Sequence, residues 1–199
     1  MTTRANEFDY KVAVCLCIII NWATFPMLLQ TASSSPVVMK TYQDFGLGFK
    51  MQYPSSMVIE KGSEVGTSNV TLYSPQASPD NYLSVAITVT PKAQLIKFGL
   101  NSNNLNTMAR QVSLAFITQD GAEVTNKTKT FIDGAPAYLI QAQGSNLTVR
   151  HIQSQGHMIY TSDYIILKQD ILYIVGFITF NHNKFLALEQ NIIQSFKFV

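Results

Sequence analysis

The sequence predicts an α+β domain, an antiparallel or mixed β-sheet flanked by helices. Three observations carry that expectation. From Gly48 onward, segments of alternating or β-branched apolar residues dominate the chain. Apolar residues recur at helical spacing in only two places, once in the middle and once near the end. The strands follow one another in runs rather than alternating with helices, so a parallel sheet of βαβ units is not expected.

The chain divides into a polar segment (1–11), an apolar segment (12–29), a polar linker (30–41) and one domain (42–199). Val12 to Leu29 is an apolar run of 18 residues broken only by Asn21, Thr24 and Pro26. That length can just span a bilayer, and it also fits the apolar core of a signal peptide, with Ala32 and Ser34 as a small-x-small cleavage pattern. The run is apolar on every face and precedes a Ser/Pro linker, which favours an export segment over a buried helix of the domain. Residues 12–29 are therefore read as a signal peptide or a transmembrane anchor. The partner of this segment is the membrane if it is uncleaved, and the expected location of the domain is extracytoplasmic. Cys15 and Cys17 both lie inside the run, two residues apart and poorly placed to bond to each other.

Within the domain, Phe49, Met51 and Tyr53 alternate with Lys50 and Gln52, the pattern of a half-buried strand ended by Pro54. Short strands follow at Met57–Glu60 and Asn69–Tyr73. Tyr82–Thr90 is a longer one, with Leu83, Val85, Ile87 and Val89 on one face. The period then changes. Leu105, Met108, Val112 and Phe116 mark a helix over 103–117, with Asn101–Asn104 offering N-caps. Glu123–Phe131 and Ala135–Ala142 are strands joined by the hairpin signal Asp133-Gly134. His151–Gln155 and Met158–Leu167 are strands around Gly156. After a turn at Lys168–Asp170 comes Ile171–Phe180, so continuously β-branched and aromatic that it is expected to be central and covered on both faces. Phe185, Leu188, Ile192 and Phe196 mark the last helix, capped by Asn181 or Asn183.

Composition narrows the function. About 160 residues follow the linker, enough to bury roughly 70% of the unfolded surface without a disulfide or metal. Charged residues make up 13% of the chain and the net charge is +2. Lys127 and Lys129 are the nearest thing to a basic cluster, so nucleic acid, which needs a basic stripe, is not an expected partner. The domain has no cysteine and cannot hold a thiolate metal site.

The same pieces, in the same order from Tyr42 onward, resemble the PsbP-like domain family. They are Gly48-Phe-Lys-Met-Gln-Tyr-Pro54 and a short Val-Ile-Glu segment, a strand ending in Ser74-Pro75, and Leu83-Ser-Val-Ala-Ile-Thr-Val89. The middle helix, Asp133-Gly-Ala-Pro-Ala-Tyr138, Leu172-Tyr-Ile-Val-Gly-Phe177 and Ile193-Gln-Ser-Phe196 complete the set. Met57 stands near the place where family members often carry a Trp. The resemblance implies an α/β/α sandwich and an accessory role in which the domain docks onto a protein partner, without catalysis. A photosystem role does not transfer on fold alone.

The search for chemistry nominates little. No Gly-x-Ser-x-Gly elbow is present, and the carboxylates Asp44, Glu60, Glu64, Asp80, Asp120, Glu123, Asp133, Asp163, Asp170 and Glu189 are dispersed. No catalytic residue and no cofactor-binding residue is assigned. His151 and His157 flank the Gly156 turn, and Asp163 or Asp170 could lie across a hairpin from them. These four are the weak candidates for a divalent cation, an idea the family resemblance keeps open; exposed turn histidines are the plainer reading. Asn69, Asn126 and Asn146 begin Asn-x-Ser/Thr sequons and are candidate glycosylation sites in an exported chain. The functional expectation is a non-catalytic, extracytoplasmic accessory protein that docks onto a membrane or envelope complex. The alternative is a small-molecule or lipid-binding module with a pocket between sheet and helix, and a metal-assisted hydrolase comes third.

Overall fold

The computed structural model describes residues 37–64, 67–75, 78–97, 104–119, 121–145 and 156–199. Val37–Val199 is one compact unit. It runs β1 (Met39–Asp44), β2 (Phe49–Pro54), β3 (Val58–Glu64), β4 (Thr67–Tyr73), a 3-10 turn (Pro79–Asn81), β5 (Leu83–Pro91) and α1 (Lys92–Lys97). Then come α2 (Leu105–Gln119), β6 (Glu123–Ile132), β7 (Ala135–Gly144), β8 (Ile159–Lys168), β9 (Ile171–Thr179), α3 (His182–Ser195) and β10 (Lys197–Phe198).

Seven strands form the main sheet in the order β3-β4-β5-β9-β8-β7-β6. Every neighbouring pair is antiparallel. The expected choice between antiparallel and mixed thus resolves to antiparallel. β9 is the middle strand, and Leu172, Tyr173, Val175, Gly176 and Phe177 are buried along it. That is the position its unbroken apolar run predicts. Two hairpins close on pairs of left-handed residues, Asp133–Gly134 (φ 48 and 74°) and Gln169–Asp170 (φ 49 and 63°). Such pairs match the twist of the flanking strands.

One face of the sheet packs against α3 and a small sheet of order β1-β2-β10. Val70, Leu72, Val85, Ile87, Val175 and Phe177 meet Phe49, Met51, Ile192 and Phe196 there. The chain end is tied in three ways. Val199 N donates to Gly48 O (3.1 Å), Phe198 N donates to the Asp133 carboxylate (3.0 Å), and Lys197 pairs with the other Asp133 oxygen at 3.1 Å. The Phe198 amide, with Lys197 beside it, holds the Asp133 carboxyl below the usual carboxylate range. The opposite face packs against α1 and α2 through Leu95, Met108, Ala109, Tyr138, Ile140, Ile165 and Leu172. Helices therefore lie on both sides of the sheet.

Several expectations need correction. The polar linker does not run to 41, because β1 begins at Met39; Met39 and Tyr42 pack on the core while Lys40 and Thr41 face solvent. The short strand at Met57–Glu60 extends to Glu64 as β3, held by full pairing with β4. Beside the expected sheet stands a second, small one, in which β2 pairs with β1 and with the C-terminal Lys197–Phe198. α1 was not expected at all: six residues are too few to show a helical period. Asn104 is the N-cap of α2, accepting from Asn106 N at 2.9 Å, and Asn181 caps α3, accepting from Lys184 N at 3.2 Å. Residues 12–29, Cys15 and Cys17, the strand expected at His151–Gln155, His151 and the Asn146 sequon lie outside the described residues. No helix among the described residues is long and apolar enough to cross a membrane.

Candidate functional site

Of the weak cation candidates, His157 is exposed just before β8, its ring edge-on to Phe180 at 6.2 Å. Asp163 lies mid-way along β8, and Asp170 is exposed in the turn after it. Asp163 is six positions beyond His157 along an extended chain, roughly 20 Å, so the structure does not bring them together. Among the described residues, no three His, Cys, Asp or Glu side chains converge. Of the sequons, Asn126 is exposed on β6, its amide donating to Gln141 Oε1 at 2.9 Å. Asn69 is on β4 with its Oδ1 buried and without a hydrogen-bond partner.

Asn69 and Asp163 belong to a different feature. The α2 face changes character across the sheet. Over Tyr138 and Ile140 of β7 and Ile165 of β8 it is apolar and packed against α2. Over β4 and β5 it carries Asn69, Thr71, Ser84, Ala86 and Thr88, which with Tyr82 and Ile178 line a half-open pocket of about 240 Å³. The strand register explains the shape. Thr71 pairs with Ala86, Ala86 with Gly176, and Gly176 with Asp163. A single cross-strand row thus has a hydroxyl at one end, two small residues in the middle and a carboxyl at the other end, spanning roughly 14 Å between Cα atoms. Ala86 lines the pocket, and Gly176 and Asp163 follow it in the row.

Gly176 is what lets Asp163 lie down on the sheet. A Cβ at position 176 would stand 2.7 Å from Asp163 Oδ1, closer than any side chain tolerates. The glycine interrupts the bulky run of β9 where the carboxyl leans over. Asp163 as a residue keeps some accessible surface. Protein atoms nonetheless enclose the carboxyl, and this loss of water pushes its pKa up to about 7, with no charged neighbour contributing. Thr161 Oγ1, on the same face of β8, is also buried without a hydrogen-bond partner, as is Gln111 Oε1 on α2.

A second raised carboxyl sits on the opposite face. Glu189 projects from α3, is 3% exposed, and is pushed up to about 7 by burial, partly offset by a hydrogen bond from the Ser162 hydroxyl. It is buried and has a partner, so it reads as a structural group. Asp163 is enclosed without a charged neighbour.

Sequence reasoning named Asp163 for a different role and passed over Thr71, Ser84, Ala86, Thr88, Thr161 and Gly176. A signal was present. The strand Leu83-Ser-Val-Ala-Ile-Thr-Val89 was read for its apolar side, while its other side, Ser84, Ala86 and Thr88, is too small and too polar for a face that a helix should cover.

A family model described as PsbP-like protein matches residues 28–198. No curated protein matches the chain. Solved structures match in fold. Cyanobacterial PsbP (CyanoP) from Synechocystis is similar at a TM-score of 0.54 and 16% identity, over 86% of this chain and 99% of that one. The Ran-binding protein Mog1p of Saccharomyces cerevisiae matches at 0.53 and 8% identity, over 82% and 97%. A Pseudomonas aeruginosa protein of unknown function matches at 0.51 and 15%, over 79% and 94%.

Proposed function

The chain belongs to the PsbP-like family, and from that premise we propose that it is a non-catalytic, extracytoplasmic protein that docks onto a membrane or envelope protein complex. The observation that carries this reading is the family match, which spans the domain and reaches back to residue 28. Relatives in fold include one protein whose name describes binding to another protein, the Ran-binding Mog1p. The apolar run at 12–29 supports export or anchoring.

The surface offers anchors for docking. Phe45, in the turn between β1 and β2, is 79% exposed, and Phe131, on edge strand β6, is 71% exposed. Exposed aromatic side chains of this kind are the ones that contribute most when an interface closes over them. Crosslinking in native membranes, followed by purification of the full chain, tests the reading. One reproducible partner is expected, and Phe45→Ser should weaken its recovery while changing stability by less than about 0.5 kcal/mol. A free, unanchored monomer with no reproducible partner would overturn docking.

A second reading is a small-molecule-binding module. The half-open pocket over β4 and β5 favours it. Its Asn, Thr and Ser lining suits a polar ligand rather than an acyl chain.

A further inference from the structure

We propose that Asn126 is a glycosylation site of the exported chain, its amide nitrogen carrying a sugar on the open edge of the main sheet, and that Asn69 stays bare. The inference rests on the extracytoplasmic reading, because the lipid-phosphate-linked sugar donors of this chemistry are used outside the cytoplasm. Three differences between the two described sequons carry it.

The first is access. β6 closes the main sheet at one end, and Asn126, Lys127 and Thr128 are all exposed along it. The ladder steps over Thr125, so the strand is irregular directly before Asn126, and such bulges re-aim side chains at sheet edges. Asn69 sits on β4, which is paired on both sides, to β3 and to β5, and its Oδ1 is buried. The second difference is the hydroxyl that the motif requires two residues on. Thr128 donates to Asn126 Oδ1 at 2.7 Å, so carboxamide and hydroxyl already meet. In the other sequon they do not. Thr71 and Asn69 line the same pocket, yet Asn69 Oδ1 has no hydrogen-bond partner.

The third difference is what the product keeps. A carboxamide nitrogen carries two N–H groups, and Asn126 directs one of them to Gln141 Oε1 at 2.9 Å. In the transfer, a bond forms between Nδ2 and the anomeric carbon of the sugar. The bond from that carbon to the donor's phosphate oxygen breaks, the lipid phosphate leaves with the electron pair, and the nitrogen gives up one proton. The remaining N–H still donates to Gln141 and Oδ1 still accepts from Thr128, so the folded domain loses no hydrogen bond. A sugar on Asn69 would have to fit among Thr71, Ser84 and Thr88 in a pocket of about 240 Å³. On β6 it meets solvent, and it covers a ten-residue edge strand that Lys127 and Lys129 already blunt with charge against pairing with another chain.

Site-resolved mass spectrometry of the full chain, purified from cells that naturally make it, tests the assignment. The peptide bearing Asn126 should carry a sugar mass on most chains, and the peptide bearing Asn69 none. Variants made in the same cells sharpen the test. Thr128→Val keeps the side-chain shape, removes the hydroxyl and should abolish the modification, whereas Thr128→Ser restores a hydroxyl and should retain it. Asn126→Gln should lose the sugar with its fold unchanged by circular dichroism, and Asn69→Gln should leave the sugar mass as it is. The inference is overturned if Asn126 is bare in chains recovered from outside the cytoplasm, a result that leaves the extracytoplasmic reading standing. It is equally overturned if Thr128→Val is still modified or if Asn69 carries sugar. A chain found only in the cytosol, with Asn126 bare, overturns the extracytoplasmic reading and the inference together.

Discussion

The two halves of the α2 face are built from opposite materials on one continuous sheet. Over β7 and β8, Tyr138, Ile140 and Ile165 are buried under Met108 and Ala109. Over β4 and β5, the same face is Asn69, Thr71, Ser84, Ala86 and Thr88, and it lines an open pocket. The other side of those very strands is fully apolar, with Val70, Leu72, Val85 and Ile87 each at 0% exposed. Packing thus explains three of the four quadrants of the sheet. The fourth contributes little apolar area and holds a buried acceptor, Asn69 Oδ1, without a donor. Stability gives no reason for such a composition, since unmet polar groups cost and small side chains bury little. The contrast teaches where to look for function in a domain that carries no catalytic motif.

The contrast can be broken by mutation. Ile165→Ala, in the apolar half, should cost about 2–5 kcal/mol in urea unfolding, the lost transfer energy plus a cavity. A loss below about 1 kcal/mol would show that this half is not core. Next in size is the pH dependence of stability. Asp163 and Glu189 both have folded pKa values raised to about 7, above their unfolded values, so the folded state binds protons more tightly. Their contribution is fully present below about pH 4 and is lost as pH rises through about 7, on the order of 3 kcal/mol for each group. Asp163→Asn and Glu189→Gln should each flatten the fall in stability between pH 4 and 8, and each should raise stability at pH 8 by about 1–2 kcal/mol. A flat wild-type profile would mean that neither carboxyl is desolvated.

Gly176→Ala should cost about 1–2 kcal/mol, because the new methyl collides with Asp163 Oδ1. The same change should move the Asp163 carboxyl pKa, read by carbon-13 NMR, back towards the ordinary range as the group swings into water. Smallest of all, Thr88→Val in the polar half should change stability by less than about 0.5 kcal/mol, since the residue is half-buried. A cost as large as that of Ile165→Ala would erase the distinction between the halves.

Most of the fold was legible in the chain because its elements signal locally. β2 ends at Pro54 and β9 shows an unbroken apolar run; Asn104 and Asn181 cap their helices, and Asp133-Gly134 turns a hairpin. The small sheet was not legible. Its β10 is two residues long and exists only because β2 and Asp133 are there to receive its amides. The pocket face was half legible. Ser84, Ala86 and Thr88 stand at alternate positions and announce one odd strand face. Asp163 and Gly176 gave no such sign, being thirteen residues apart on neighbouring strands.

Residue order alone settled which segments are strands and helices, where most of them stop, and which strand lies in the middle. Periodicity, caps and turn residues act over a few neighbouring positions, and a run apolar on both sides has nowhere to go but the centre. Strand pairing settled the rest: which four residues share the row from Thr71 to Asp163, which carboxyl is stripped of water, and which face is left open. Register joins positions far apart in the chain, and burial depends on what the folded sheet brings against each side.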